Sequence, residues 1–244
     1  MRATDNLALK IAAVSQDEKN AFNHTRFSIF NYKKRFRMNP EIKEGRLNGI
    51  RAILLYRTYN VDFDLTGEFS NRSTLGSDFS YSLLKSYLHQ SFRPSIYTNL
   101  HFHFFGGLSF GELPPQKWFD FGGKTFLNYY GNVRGVDYKA FTGDRMLSAI
   151  VEYSITGTAL YDRGIKLGIL KALKLTCWSS VGWSSLSEKN KRFVAALNTS
   201  LSTTDGVYNE MGIGIGDRLN IVRIDFIRNT ISKNKLLLSF NILR

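Results

Sequence analysis

Arg134 is the residue whose surroundings most clearly suggest chemistry, because it lies in a Val-Arg-Gly tripeptide within a glycine-rich and aromatic-rich stretch at residues 118–152. A guanidinium offers a planar fork of N–H donors that can bind a carboxylate through two parallel hydrogen bonds. Glu152 lies on the polar face of the strand predicted at the end of this stretch, and Asp225 lies on a later predicted strand. The spacing therefore predicts that Arg134 is a latch, paired with Glu152 or Asp225, and has no catalytic task.

Three glycines alternate with apolar residues near the end of the chain, at Gly212, Gly214 and Gly216. Their spacing is also that of a nucleotide-binding loop, but no helical pattern follows them, so dinucleotide binding is not expected. Glycine within a strand often marks a place where another segment approaches closely. We expect these glycines to lie on an inner face and to leave room for the stretch that carries Arg134.

Metal and catalytic sites are not expected. His101 and His103 share a strand face, but no third ligand stands at a useful spacing, so we expect them to line a wet interior. An acidic stripe is formed by Asp62, Asp64 and Glu68, and paired carboxylates can act in acid and base catalysis. The simpler explanation is that these carboxylates lie in a wet interior, where the many basic residues balance their charge. Since no nucleophile motif is present, the sequence predicts neither an enzyme nor a bound cofactor.

The stretch around Arg134 lies between two segments that alternate strictly between apolar and polar residues. The apolar positions before it are Ile96, Thr98, Leu100, Phe102 and Phe104, and those after it are Leu147, Ala149, Val151, Tyr153 and Ile155. Such alternation predicts strands. A connection of roughly forty residues is much longer than an ordinary hairpin loop. Residues 109–145 are therefore predicted to be a functional loop.

Alternation along the rest of the chain predicts strands at 7–13, 25–37, 78–92, 173–183, 211–216, 222–227 and 236–242. The apolar residues of 53–65 keep one parity, which predicts one long strand or a hairpin that preserves the faces. The pattern at 191–206 predicts a further strand and a turn. Because no segment of about twelve residues has a helical period, the sequence predicts an all-β chain of roughly nine to eleven strands.

The composition limits the partners. One cysteine, Cys177, excludes an internal disulfide framework and a multi-cysteine zinc site. No apolar run of about eighteen residues is present, which excludes a membrane-spanning helix. The net charge of +13 favours a polyanionic partner such as nucleic acid, lipopolysaccharide or anionic headgroups. Nucleic acid is not expected, because the basic run at 33–37 has no recognition helix or single-strand-binding motif beside it.

The two faces of the predicted strands differ in character. The polar faces carry mainly Asn, Thr, Ser, His and Gly with a few charges, and the apolar faces carry many bulky aromatic residues. An outer-membrane barrel turns its apolar face to lipid and its polar face to a wet lumen. A soluble sandwich or lipocalin-like domain turns the apolar face inward. The pattern favours the membrane barrel, although alternation alone does not say which face is inside.

Three motifs follow one another around Arg134: Phe119-Asp120-Phe121-Gly122-Gly123, then Val133-Arg134-Gly135-Val136, then Gly143-Asp144-Arg145 before the strand of Glu152. A glycine-rich strand, a strand with Arg223 and Asp225, and a last apolar strand follow. In this order the motifs resemble the C-terminal barrel of the BamA-type superfamily, also called the bacterial surface antigen family.

The resemblance implies an antiparallel transmembrane β-barrel of about sixteen strands. About ten of those strands would be present here, so residues 1–244 are expected to be one barrel domain that is a fragment of a longer protein. The loop at 109–145 would enter the lumen, and its tip arginine would pair with acidic residues. The resemblance also implies a place in the bacterial outer membrane, in contact with lipid and lipopolysaccharide. The role implied is insertion or translocation of outer-membrane proteins, with nascent outer-membrane proteins and other assembly subunits as partners.

Two departures from the family pattern stand out. Val136 replaces the aromatic residue of the loop tip, and Ser180 replaces one of the two acidic partners of the arginine. Two other functions remain open from the sequence. One is a passive pore or structural barrel without assembly activity, and the other is a soluble β domain that binds anionic ligands through its basic surface.

Overall fold

A computed structural model describes residues 6–20, 42–122, 133–136, 140–197, 202–204, 206–218, 221–231 and 235–240. For residues 121, 193–197 and 235–240 only the backbone is described. Within these residues no helix is both long enough and apolar enough to cross a membrane. The predicted strand at 25–37 and the predicted loop residue Gly123 lie outside the described residues.

Twelve strands dominate the structure. They are β1 (Leu7–Glu18), β2 (Gly45–Arg57), β3 (Val61–Ser70), β4 (Tyr81–Ser95), β5 (Thr98–Gly111), β6 (Phe119–Phe121), β7 (Phe141–Gly143), β8 (Arg145–Thr156), β9 (Leu173–Ser185), β10 (Tyr208–Asp217), β11 (Val222–Asn229) and β12 (Lys235–Phe240). The helices are short: α1 (Arg72–Leu75), α2 (Gly157–Asp162), α3 (Glu188–Leu197), and 3-10 turns at Pro115–Lys117 and Gly168–Ala172.

Ten of the strands form one sheet in the order β1-β2-β3-β4-β5-β8-β9-β10-β11-β12, and every adjacent pair is antiparallel. Strands β6 and β7 pair with each other inside the connection between β5 and β8. Within the described residues β1 pairs only with β2, and β12 only with β11. The predicted all-β antiparallel fold is confirmed.

Several predicted boundaries are corrected. The residues at 53–65 form a hairpin of β2 and β3, and the predicted common parity is wrong, because Leu55 lies opposite Asp64 and Ile53 opposite Thr66. Strand β4 begins at Tyr81 rather than at residue 78, because Asp78 and Phe79 are held in a turn by hydrogen bonds to Arg46 and Ser77. The central connection is shorter than 109–145 at both ends, since β5 extends to Gly111 and β8 begins at Arg145.

The strand predicted at 191–206 is wrong for its first part, which lies in helix α3. This helix has 10 residues, so it is too short for its period to stand out in a sequence dominated by alternation. Asn190 near its start is buried and donates a hydrogen bond to Asp144. Good helix formers such as Glu188, Lys189 and Lys191 favour this helix, and the contact of Asn190 with Asp144 fixes it to the end of the central loop.

The two faces of the sheet have opposite exposure. On β8, Leu147 and Val151 expose 49% and 39% of their surface, whereas Ser148 and Ser154 on the other face expose 3% and 1%. The same holds on β10 and β11, where the exposed apolar residues are Met211, Ile213, Ile215, Val222, Ile224 and Phe226. We call the face with the buried polar side chains the inner face. This arrangement is the reverse of a soluble sandwich, and it is the one expected of an outer-membrane barrel.

The two ends of the sheet carry different connections. At one end are the tight turns between β2 and β3, β4 and β5, and β10 and β11, together with α2 and its following 3-10 turn. We call this end the short-turn rim. At the other end the connections at 71–80, 112–144 and 186–207 are longer. The middle one of these enters the space enclosed by the inner face, where it meets a cluster of buried residues: Phe105, Phe119, Val133, Phe141, Met146 and Tyr208.

Candidate functional site

The tip of the central loop packs against the inner face of the sheet. Val133 is fully buried and belongs to the same apolar cluster as Met146 and Tyr208. A β-branched apolar side chain here anchors the tip by burial alone, which is worth about 1.5–3 kcal/mol for a side chain of this size. The burial brings the two following residues, Arg134 and Gly135, to polar groups of the wall.

Glu210 on β10 holds the backbone of the tip. One carboxylate oxygen accepts the N–H of Arg134 and the other accepts the N–H of Gly135, both at 2.6 Å. On β11, the Asn229 side-chain amide donates to the carbonyl of Gly135 at 2.8 Å. Hydrogen bonds between a charged group and backbone donors are among the stronger kinds. Strands β10 and β11 together therefore grip the backbone at Arg134 and Gly135.

Gly135 is required by this close approach. A Cβ atom at this position would lie 2.6 Å from both the Asn229 amide nitrogen and a Glu210 carboxylate oxygen, and 3.1 Å from Ile227. Real side-chain atoms do not come this close, so any larger residue would have to displace the tip or its partners. The glycine of the tripeptide is thus explained by packing.

The Glu210 carboxylate is itself positioned by two neighbours. Ser180 on β9 donates its hydroxyl to one oxygen at 2.9 Å, and Tyr208 donates to the other at 2.7 Å. Ser180 occupies the position where the resembled family has an acidic residue. Here Ser180 lies directly opposite Glu210 in the sheet, so the serine supports the carboxylate of the next strand.

The guanidinium of Arg134 meets the inner face of β8, β9 and β11. It donates to Glu152 at 2.5 Å and lies 3.8 Å from the Asp225 carboxylate. The guanidinium also lies over the Trp178 ring, 4.6 Å from its centre. The structure thus brings together Arg134, Glu152 and Asp225, the three residues that the sequence placed in one ionic contact.

A second arginine, Arg223 on β11, completes the cluster. It contacts both Glu152 oxygens at 3.1 and 3.2 Å and binds Asp225 at 2.7 Å. Trp178 donates its indole N–H to Asp225 at 3.2 Å. The cluster therefore alternates two guanidinium groups with two carboxylates, which balances charge where Arg223 and Asp225 are almost completely buried. Buried charges are tolerated when they are paired in this way.

The glycines of β10 make room for wall side chains. A Cβ atom at Gly212 would meet the Trp178 ring, and one at Gly214 would meet Asp225 and Arg223. At Gly216 it would meet the carbonyl of Val222 and the stem of Arg223. These glycines lie on the inner face, as predicted, but the loop tip approaches through Gly135.

The first arm of the loop is tied to β3 and β7. Phe119 is buried against Phe105 on β5 and pairs with Gly143 through the β6–β7 ladder. Gly122 follows β6 with a φ of 126°, a backbone angle that favours glycine, so it turns the chain away from that ladder. Lys117, just before β6, lies 3.2 Å from the buried Glu68 on β3.

The second arm is fixed by Asp144, which is fully buried between β7 and β8. Its carboxylate accepts hydrogen bonds from the backbone and hydroxyl of Ser187 and from the Asn190 amide. The first arm is thus attached to β3 and β5, the second arm to the connection and helix that follow β9, and the tip is attached a third time at the inner face.

Glu112 joins three connections at the rim that carries the long loops. Its carboxylate lies within 3.2–3.8 Å of Lys43, Arg72 and Lys189. Partial burial acts to raise the pKa of Glu112, but the charges of Lys189, Lys43 and Arg72 outweigh it and hold the pKa below its ordinary value. The group is therefore an anion that ties these connections together.

The histidines of the inner face form a stack. His89 lies between His101 and His103, with ring centres 5.5 and 4.4 Å away, and its other edge faces Asp62 at 3.4 Å. The described part of the chain contains no group of three residues arranged to hold a metal ion. The third histidine was missed in the sequence because it lies on the neighbouring strand.

The acidic stripe of β3 is paired with cations. Arg57 lies 3.6 Å from Asp62 and also pairs with Asp64. Glu68 binds Arg51 at 2.6 Å, in addition to Lys117 of the loop. The stripe therefore balances charge along the inner face, as expected, and also fastens the start of the loop.

Comparison with known proteins finds similarity in structure but not in sequence. No protein-family model matches this sequence, and no curated protein matches it. The structure is similar to that of BamA from Haemophilus ducreyi lacking POTRA domains 1–3, with a TM-score of 0.55 and 12% identity over 96% of this chain. The chain spans 50% of the length of that BamA structure. The fold is that of an outer-membrane β-barrel.

A second match, to the outer membrane protein OpdK from Pseudomonas aeruginosa, has a TM-score of 0.37 and 10% identity, and covers 81% of this chain and 52% of that one. The identity to BamA is low enough that the likeness concerns the fold alone. The exposed apolar face and the polar inner face of the sheet agree with the outer-membrane barrel fold. Such a barrel turns apolar side chains to lipid and polar side chains to its interior.

Proposed function

We propose that this chain is part of an outer-membrane protein that inserts or translocates other outer-membrane proteins, as BamA-type factors do. The observation that carries the proposal is the set of contacts that holds Val133, Arg134 and Gly135 inside the sheet. We call these contacts the clasp. Its partners lie on four consecutive strands, with Glu152 on β8, Trp178 and Ser180 on β9, Glu210 on β10, and Asp225 and Asn229 on β11.

A clasp of this kind has a mechanical use in an assembly factor. It braces β8 to β11 from the inside, so this part of the wall keeps its register when a distant edge of the sheet opens. The first strands of the sheet are joined to the loop near its start, through Lys117 and Glu68. We infer that the braced part is the rigid side and that β1 belongs to the side that works on a client.

The backbone of β1 is suited to receive a client strand. The carbonyl of Asn6 accepts the N–H of Arg57, the residue opposite it, and the register to Glu18 has no shift. In an antiparallel ladder the paired groups alternate, so Leu7, Leu9 and Ile11 turn their N–H and C=O groups away from β2. Among the described residues no strand pairs with this edge. A free strand edge templates another strand through main-chain hydrogen bonds.

The proposed setting is the bacterial outer membrane. The exposed apolar faces of the strands match a hydrocarbon environment, and the net charge of +13 suits contact with lipopolysaccharide and anionic headgroups. The proposed clients are unfolded outer-membrane proteins, and further assembly subunits are proposed partners. A structural barrel without assembly activity is the competing function, since a braced and filled interior would also suit it.

The experiment is a folding assay in liposomes. The chain is reconstituted, a small outer-membrane barrel unfolded in urea is added, and its folding is followed by heat-modifiable gel mobility. We expect the wild type to accelerate client folding. Ile11→Pro should remove most of the acceleration, because proline deletes an outward N–H of β1 without breaking a bond to β2.

Ile11→Ala is the matched control, since it shortens the same side chain but keeps the N–H. It should retain the acceleration. If the wild type folds but does not accelerate folding of the client, the protein is a structural barrel and not an assembly factor. If Ile11→Pro and Ile11→Ala slow the client equally, the edge of β1 is not the template.

A further inference from the structure

The inner face carries a second feature at the short-turn rim, beyond the clasp along β8 and β9. An open cavity of about 710 Å³ lies there, lined by Arg93, Lys174, Arg218 and the neutral residues Ser95, Ile96, Asn99 and Thr156. Three of the seven lining residues are cations and none is acidic. The cavity is large enough for a small charged solute or a short acidic chain segment.

The cations come from three strand ends. Lys174 on β9 alternates in step with Thr176, a buried inner-face residue of its strand. Arg93 lies where the register of β4 shifts between Phe92 and Ser95, and it lines the cavity there. Arg218 directly follows β10 and has the parity of Glu210. The backbone N–H of Arg218 donates to the carbonyl of Ala172 at 2.7 Å, which fixes the start of its side chain. The three cations therefore surround the mouth of the interior.

The cations at this mouth have no carboxylate of the described residues in direct contact, and the Glu152 and Asp217 carboxylates act on Lys174 from a longer distance. At the clasp and beside it, the guanidinium groups of Arg134 and Arg223 each lie against Glu152 or Asp225. In contrast, the described part of the chain has no carboxylate within ion-pair distance of Arg93, Lys174 or Arg218. Several cations that converge on one cavity without a counter-charge in contact create a positive potential that attracts anions.

A smaller adjoining cavity extends the site. It has a volume of about 340 Å³, shares Arg93 and Asn99 with the first, and adds Tyr59, Asn60, Ser91, Phe92 and His101. Amide and hydroxyl groups of these residues can donate hydrogen bonds to further oxygens of a ligand. The guanidinium of Arg93 lies 5.9 Å from the centre of the Tyr59 ring, at the boundary between the two cavities.

We propose that the short-turn mouth of the interior is a binding site for a soluble anion that carries two or more phosphate or carboxylate groups. Arg93, Lys174 and Arg218 bind the charged groups, and Asn99 contributes an amide at the shared wall. Because these side chains lie on the inner face, the ligand enters from water and not from the bilayer. The site needs only the fold, so it stands independently of any assembly activity.

The test is a calorimetric titration of the refolded chain with pyrophosphate in zwitterionic micelles at low ionic strength. We expect saturable binding by the wild type. The triple variant Arg93→Gln, Lys174→Gln, Arg218→Gln should bind at least about tenfold more weakly, because it loses charge-assisted hydrogen bonds. Its heat-modifiable gel mobility is checked first, and Arg93→Gln with Arg218→Gln serves if the triple variant does not fold, since both arginines are exposed.

The matched control removes the same charge from the outside of the same rim, with Arg163→Gln, Lys166→Gln and Lys171→Gln, all exposed and outside the cavity. It should bind pyrophosphate as the wild type does. The proposal is overturned if both triple variants weaken binding equally, which indicates net charge alone, or if the wild type shows no saturable binding. Displacement of pyrophosphate by phosphatidylglycerol added to the micelles would contradict a soluble ligand and indicate that the site binds a lipid headgroup.

Discussion

Arg134 connects the loop to the wall through three different kinds of contact. Its backbone N–H binds Glu210, its guanidinium binds Glu152, and that guanidinium lies over the Trp178 ring at 4.6 Å from its centre. Lysine could supply the charge, but it has neither the planar fork nor the flat surface. The residue type is therefore explained by the geometry of the clasp, whichever client or ligand the barrel serves.

Arg134→Ala should destabilise the folded chain by about 3 kcal/mol, at the lower end for a broken buried ion pair, because Arg223 still balances Glu152. Arg134→Lys should lose less. Urea unfolding in micelles, read by gel mobility, measures the change. Arg145→Ala, which removes an exposed arginine near the loop, is the control and should leave stability unchanged. Equal stability of Arg134→Ala and wild type would contradict a structural role for the clasp.

Gly135→Ala should expel the tip from the interior, since its Cβ would lie 2.6 Å from Glu210 and Asn229. The expected cost is about 1–3 kcal/mol, as for other overpacked sites. Trypsin should then cut after Arg134, a bond that is protected in the wild type, and mass spectrometry of the digest detects the cut. Gly67→Ala, where a Cβ would meet nothing within 4 Å, should leave the protection intact. Protection of Arg134 in Gly135→Ala would show that the tip tolerates a side chain.

The clasp could be predicted from the sequence only in part. Arg134 and Glu152 are recognisable because the charge of the loop and the polar parity of β8 can both be read locally. Glu210 and Asn229 are not, because their role depends on cross-strand register, which places Ser180, Glu210 and Asn229 in one row across three strands. Arg223 was noted beside Asp225, but its contact with Glu152 spans strands that are 71 residues apart in the sequence.

At the scale of the elements, strand parity explains most of the architecture. Alternation predicts the strands from β8 to β11 closely, because each has one apolar and one polar face throughout. It fails at α3, where a short helix is stabilised by the contact of Asn190 with Asp144. It also fails at 53–65, where the turn between Arg57 and Asp62 exchanges the faces, so Leu55 shares a face with Asp64 and not with Phe63.

Ile213→Lys should impair folding into a bilayer, because Ile213 lies mid-strand on the exposed apolar face of β10. A lysine near the bilayer midplane of a barrel costs about 2–4 kcal/mol, and one near the interface about 0–1 kcal/mol. Asn209→Lys on the same face, near the end of β10, is the matched control. The measurement is the folded fraction in liposomes across a urea series. If both variants fold equally well, the exposed face of β10 does not contact hydrocarbon.

At the scale of the whole molecule, the decisive property is the direction of the two faces. The sequence alternates equally well for a soluble sandwich and for a membrane barrel, because parity is the same when inside and outside are exchanged. The structure places Glu152, Arg223 and Asp225 inside and Leu147, Ile213 and Phe226 outside. The charged side chains of the wall can lie inside because Arg134 of the enclosed loop supplies the partner that these buried charges require.

Heat-modifiable gel mobility of the chain refolded in detergent micelles tests the membrane-barrel account most directly. An outer-membrane barrel keeps its compact sheet in the unheated gel sample and loses it on boiling. We therefore expect the unheated chain to migrate faster than the boiled chain, and to aggregate when detergent is left out. A chain that remains monodisperse without detergent and migrates identically before and after boiling would contradict the account.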